Sequence, residues 1–235
     1  LKACLADPDL KAIICARGGY GCLRLLPLLE KVDFGATAKW LIGFSDITAL
    51  HHYYNDSGWA TLQGPMVTTL AAADTGSRDL LLKLLRGALN SSPQYPLGDL
   101  ILPGRGRGPV VGGNLATLCH LLGTPYQPDF GGRILFLEDV GEAPYRIDRM
   151  LTQMAMAGCF RGLAGVVLGQ FTDCGPWEAI REVFYDRFAP CGVPLVAGLA
   201  AGHASPNLAL PLGLVATLDA GTLSLIYDRG MTEDA

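Results

Sequence analysis

Three side chains suited to acyl transfer stand where apolar runs end. Ser45 lies between Gly43-Phe44 and Asp46, where a buried-strand pattern (Trp40–Phe44) gives way to a helical one (Ile47–Tyr54). That is the position of a nucleophile elbow: the turn lifts the hydroxyl off the carboxyl edge of a sheet, and the helix start offers N–H groups to an oxyanion. The second glycine of G-x-S-x-G is missing, and Ser before a helix is also a common N-cap, so both readings stand. His203 lies in Ala201-Gly202-His203-Ala204-Ser205-Pro206-Asn207, a small-residue loop between strand patterns. Such a loop suits a general base, with a surface histidine as the alternative. His51 and His52 fall on the helix after Ser45 and His120 in a leucine-rich helix, where satisfied, buried imidazoles are expected. Glu138 closes the apolar strand Ile134–Leu137 and suits the acid that orients an imidazole. It reads also as a strand-end carboxylate capping the next turn, and Asp139 and Glu142 are rival acids.

A glycine-rich turn, Arg17-Gly18-Gly19-Tyr20-Gly21, follows another strand pattern. Its glycines permit positive φ and close approach of backbone to a ligand. It is not G-x-G-x-x-G and lacks the later acidic residue of a dinucleotide site. There is no H-E-x-x-H and no Cys/His cluster, so neither metal nor cofactor is expected.

The elements that must hold these residues alternate. Strands are expected at Lys11–Ala16, Trp40–Phe44 and Trp59–Leu62, with helices at Leu23–Leu29, Ile47–Tyr54 and Arg78–Leu89. Continuous apolar strands between helices imply a parallel sheet covered on both faces, a Rossmann-like or flavodoxin-like α/β domain over 1–90. Residues 91–109, rich in Gly, Pro and Arg, read as a linker, with Arg105 and Arg107 as solvated loop charges. Over 110–235, strands at Arg133–Leu137, Ala164–Leu168 and Pro194–Ala197 alternate with helices at Leu115–Leu122, Tyr145–Ala157 and Trp177–Phe188. A terminal hairpin, Leu208–Leu218 with Thr222–Tyr227, completes a second α/β domain with an antiparallel β component.

Composition narrows the classes. The 235 residues include 30 glycines, nearly twice the ordinary share of about 7%. With 50% apolar and 17% charged residues the chain buries enough surface to fold, which excludes disorder. No apolar run reaches the ~20 residues that span a bilayer. A net charge of −4 with no basic stripe argues against nucleic-acid binding. Seven cysteines (4, 15, 22, 119, 159, 174, 191), odd in number and without C-x-x-C, read as reduced core thiols of a cytoplasmic protein. The chain begins Leu-Lys-Ala-Cys, inside a helical pattern, and is expected to be N-terminally truncated.

In their order along the chain, Arg-Gly-Gly-Tyr-Gly (17–21), Gly-Phe-Ser-Asp (43–46), Gly-Pro-Met (64–66), Gly-Gly-Asn-Leu (112–115), Leu-Glu-Asp (137–139) and Gly-His (202–203) resemble the LD-carboxypeptidase family. This family comprises muramoyl-tetrapeptide carboxypeptidases and microcin-immunity hydrolases. The segment Phe136-Leu137-Glu138-Asp139-Val140-Gly141-Glu142-Ala143-Pro144-Tyr145-Arg146 is the most specific part. The resemblance implies a Ser-His-Glu triad in a cleft between two domains, with Ser45 as nucleophile, His203 as base and Glu138 favoured over Glu142 as acid. It also implies a murein tetrapeptide substrate with meso-diaminopimelate at position three, loss of a terminal D-Ala during peptidoglycan recycling, and a homodimer. Family members carry a further N-terminal stretch, without which the first sheet has an open edge. Backbone N–H groups of Asp46 and Gly19 are the expected oxyanion donors, and Arg17, Gly18, Asn114 and Arg146 the expected substrate contacts. Two alternatives remain: a hydrolase of the same fold acting on peptidyl-nucleotide antibiotics, and a non-catalytic α/β binding module.

Overall fold

The computed structural model describes residues 1–30, 39–87 and 92–228. The first half runs through helix α1 (Lys2–Ala6), strand β1 (Ala12–Ile14), α2 (Leu26–Leu29), β2 (Trp40–Gly43), α3 (Thr48–Asp56), β3 (Thr61–Gln63), α4 (Val67–Leu70) and α5 (Thr75–Leu85). Strands β1, β2 and β3 pair in parallel. Because side chains alternate along a strand, Leu41 packs with Leu50 and Tyr54 of α3, whereas Ile42 and Leu62 pack with Leu81 and Leu84 of α5. Helices on both faces are what a fully apolar parallel strand requires.

The second half contains β4 (Gln94–Pro96), β5 (Asp99–Leu102), β6 (Arg105–Asn114), α6 (Leu115–Cys119), β7 (Ile134–Val140), α7 (Pro144–Met156), β8 (Gly165–Thr172), α8 (Trp177–Phe188), β9 (Leu195–Ala197), β10 (Leu210–Leu212), β11 (Val215–Asp219) and β12 (Ser224–Tyr227). Eight of these strands form one sheet in the order β4-β12-β11-β6-β7-β8-β9-β5. Its centre, β6 to β9, is parallel, and β11 and β5 add antiparallel flanks. Helix α7 buries Ile147, Leu151 and Met154 and α8 buries Ile180, Phe184 and Phe188, in both cases one apolar stripe at helical spacing. The alternating α/β fold with an antiparallel component is thus as expected. Among the described residues no helix is long and apolar enough to cross a membrane.

The expected linker at 91–109 is corrected. Apart from Ser91, which lies outside the described residues, it is largely sheet: β4, β5 and the first half of β6. Its glycines serve close packing instead of freedom. A Cβ on Gly106 would stand 1.8 Å from the Ala164 carbonyl oxygen, and one on Gly108 2.1 Å from that of Gly132. Arg105 and Arg107 are solvated as expected but lie on a strand, paired with Asp219 and Asp228. The chain also crosses between the two halves again further on. The expected strand Leu208–Leu218 is two strands, broken at Gly213 with φ +85°; β10 crosses back to pair antiparallel with β3, and only β11 forms the hairpin with β12. One chain segment therefore closes the first sheet from the second half. All seven cysteines are free; Cys22, Cys119, Cys159 and Cys174 are buried, while Cys191 is exposed instead of in the core.

Substituting Gly108→Ala separates strand from linker. A Cβ in this crowded strand is expected to lower the unfolding free energy by about 2 kcal/mol or more, read from urea denaturation. In a linker the same change would be neutral or stabilising by about 0.4–1 kcal/mol.

Candidate active site

Ser45 occupies a sharp turn between β2 and α3. Phe44 is extended, and Ser45 has φ 63°, one of three described non-glycine residues with positive φ. That conformation is strained for an L-residue and persists only where neighbours enforce it. The neighbours are identifiable. Gly18 presses against the turn so closely that a Cβ there would stand 3.1 Å from Ser45 Cβ and 3.3 Å from its Oγ. The Asp46 carboxylate accepts the Cys22 N–H (3.0 Å), tying the glycine-rich loop to the elbow. His51, fully buried on α3, reaches back to the Gly43 carbonyl through Nε2 (2.9 Å). Burial lowers its pKa to about 4, so the ring is neutral near pH 7 and carries its proton on Nε2, since a carbonyl only accepts. Ser45 is not a helix cap: neither the 3-10 turn it opens nor α3 has a side-chain cap bond.

Glu138 and His203 come together. The carboxylate has no solvent exposure, and its Oε2 meets His203 Nδ1 at 2.7 Å, while Oε1 is buried with no partner. Nδ1 must carry the proton in that bond, which leaves Nε2 of the neutral ring as an acceptor. Burial raises the Glu138 pKa above the ordinary carboxylate range, and the bond to His203 restrains the rise. For His203, burial acts to lower the pKa, but the bond to Glu138 and its charge, with a push from Asp139, carry it above the ordinary value. Contrary to expectation, Glu138 does not end its strand but lies inside β7, opposite Asn114 of β6. The ring of Phe44, the residue before Ser45, meets the His203 imidazole edge-on with centroids 4.9 Å apart. Both rings line a cavity of about 190 Å³ between the two halves, with Pro65, Asp74 and Asn207 also on its walls.

The rival acids are engaged elsewhere. Asp139 accepts from Asn114 Nδ2 (2.8 Å) and the Ala116 N–H (2.9 Å). Glu142 faces Arg146 at 3.6 Å, and Arg146 also reaches the Tyr145 hydroxyl, on an exposed helix end. Asn114 caps α6 by accepting from Thr117 N–H (3.0 Å), and its own N–H binds Thr48 Oγ1 of α3 (3.0 Å). Its side chain is therefore largely committed within the protein. Gly19 is exposed at φ +116°, and Arg17 is exposed beside it. His52 is buried as expected, against the Tyr126 carbonyl, but His120 is exposed: α6 ends before it. Two residues not singled out from the sequence, Gln170 and Asn207, bond the backbone of the His203 loop. Gln170 had a legible signal, a polar side chain at the end of an apolar strand, the same signal that marked Glu138.

Comparison with known proteins gives the family. The LD-carboxypeptidase N-terminal domain profile matches residues 1–64 and the C-terminal domain profile residues 107–218. A putative carboxypeptidase of Synechocystis is 44% identical over 94% of this chain and 74% of its own. The chain belongs to the LD-carboxypeptidase family. The murein tetrapeptide carboxypeptidase of Pseudomonas aeruginosa, 36% identical over 92% of this chain and 75% of its own, is another relative. Among solved structures, the muramoyltetrapeptide carboxypeptidase from Oxalobacter formigenes superposes with TM-score 0.79 at 28% identity, over 97% of this chain and 82% of its own. An MccF-like protein from Streptococcus pneumoniae shares the fold, with TM-score 0.83 at 23% identity over 97% of this chain and 81% of its own. By family the chain is a serine-type carboxypeptidase.

Replacing Glu138 by Gln removes the charge that holds the His203 pKa up and leaves burial to push it down. The His203 ring, followed by NMR titration, is expected to show a lower pKa than wild type. The same substitution at Glu142 is expected to leave it unchanged.

Proposed function

We propose that the chain is a serine carboxypeptidase with a Ser45–His203–Glu138 triad. The substrate is the amide joining an L-centre, that of meso-diaminopimelate, to a terminal D-Ala in a murein tetrapeptide, released during peptidoglycan recycling. The observation that carries this reading is the buried Glu138 carboxylate bonded to His203 Nδ1, with the imidazole packed on the ring of Phe44, the residue before the strained Ser45. His203 Nε2 takes the Ser45 proton as Oγ attacks the carbonyl, and Glu138 stabilises the imidazolium that forms. Backbone N–H groups of Asp46 and Gly19 receive the oxyanion. The imidazolium then protonates the leaving D-Ala amine, and water, deprotonated by His203, releases the acyl group from Ser45.

The substrate class rests on the relatives, whose names specify murein peptides. Gly18 leaves the space beside Ser45 that a scissile amide needs. Arg17, exposed on the same loop, suits the terminal carboxylate of D-Ala, because a guanidinium binds carboxylates in bidentate fashion. Arg146 and the second N–H of Asn114 are further contacts in this reading. Because His203 must be neutral to act, turnover rises with pH through its elevated pKa.

The test is D-Ala release from muramoyl tetrapeptide. Ser45→Ala is expected to lower kcat by about 10⁴-fold or more with KM little changed. A variant that keeps kcat within about tenfold of wild type would contradict the nucleophile assignment.

A further inference from the structure

The loop that carries His203 has little regular pairing of its own. Residues 200–208 are closed at their base by one bond, Leu208 N–H to the Ala200 carbonyl (2.8 Å). Into this loop projects Gln170 of β8, which bonds it three times. Its backbone N–H donates to the Ala201 carbonyl (3.0 Å), its side-chain Oε1 accepts the Ala204 N–H (2.8 Å), and its Nε2 donates to the Pro206 carbonyl (2.8 Å). The bonds fall on both sides of His203. Gly202 fits between the two anchors: at φ +143°, a Cβ there would stand 3.1 Å from both Gln170 Cβ and Glu138 Oε2.

An irregularity in the sheet aims this amide. Along β7 and β8, Leu137 pairs with Leu168 but Asp139 pairs with Phe171, so Gly169 and Gln170 together stand opposite Glu138. Such a bulge redirects a side chain that regular pleating would send elsewhere. Its first residue has to be glycine, since a Cβ on Gly169 would stand 2.4 Å from the Ala201 oxygen. Besides the bond of Glu138 to His203 itself, two other side-chain bonds hold the loop: Asn207 Oδ1 accepts the Gly202 N–H (3.1 Å) from within it, and Ser77 Oγ of α5 accepts the Asn207 N–H (3.1 Å) at its far end, so neither fixes the His203 side of the loop to β8.

We propose that Gln170 is a positioning residue for His203: the β8 bulge fixes its amide, and the amide fixes the loop so that Nδ1 stays on Glu138. The consequence for turnover rests on His203 being the base of the proposed function, whereas the clamp itself does not. The acids near the ring are Glu138 in contact and Asp139 behind it on β7, with Asp74 on the wall of the same cavity. Gln170 is neutral, so it affects the ring through geometry.

The experiment compares Gln170→Met, which matches the length but lacks both polar atoms, with Gln170→Glu, which keeps the acceptor for Ala204. His203 is titrated by NMR without substrate, and kcat and KM for D-Ala release are measured above its pKa. Gln170→Met is expected to lower the His203 pKa, as the bond to Glu138 loosens, and to lower kcat about 10- to 100-fold with KM within about twofold. Gln170→Glu is expected to recover part of kcat and to raise the His203 pKa through its added charge. If Gln170→Met shifts only the melting temperature, leaving the titration and the kcat of folded enzyme at wild-type values, the proposal is overturned. A shifted titration in a protein whose wild type releases no D-Ala would uphold the clamp and reject the peptidase reading.

Discussion

A carboxylate with no exposure to water, one oxygen bonded and the other bare, is costly to bury. Glu138 is in that position, and its hydrogen bond to His203 is the interaction around which the His203 loop is held. If the imidazole swung away, an unpaired charge would remain in the interior. The imidazole is accordingly confined from several sides: the Phe44 ring packs on it, Gly202 lets the loop lie against the carboxylate, and Gln170 anchors the loop to the sheet. The bond at Nδ1 leaves Nε2 as the basic nitrogen of the neutral ring, the state a general base needs.

The first half meets this pair with a second unfavourable feature, the left-handed backbone of Ser45. Strain of that kind costs of order 1–3 kcal/mol and is held by surrounding structure. Here the restraints are specific: His51 on the Gly43 carbonyl, Asp46 on the Cys22 N–H, and Gly18 against the turn. The two halves are joined by more than one covalent crossing. Strand β10 completes the first sheet, Thr48 accepts the Asn114 N–H, and Ser77 accepts the N–H of Asn207 in the His203 loop. The Ser45 turn and the His203 loop are thus registered by packing and hydrogen bonds between the halves.

Much of this was legible from residue types at strand ends. Apolar runs located β2, β7 and β8, and the residues that follow or interrupt them, Ser45, Glu138 and the Gly202-His203 loop, are those of the proposed site. Three features were not legible. Glycine and proline between 91 and 109 have the composition of a linker, but a sheet in which backbones nearly touch has the same composition, and only the distances at Gly106 and Gly108 distinguish the two. The β8 bulge leaves no periodic trace, because one extra residue in an apolar run looks the same as a longer strand. The return of β10 to the first sheet is a long-range pairing, which short-range pattern does not encode. His120 shows the converse error: its leucine-rich surroundings suggested burial, yet the helix ends one residue before it.

The most direct measurement is a double-mutant cycle on kcat/KM for D-Ala release, using Ser45→Ala, His203→Ala and the combined variant. Residues that act as one nucleophile–base unit lose function together, so the double variant should be no more than about tenfold worse than the worse single variant. Losses that multiply, as for independent sites, would contradict a shared catalytic step.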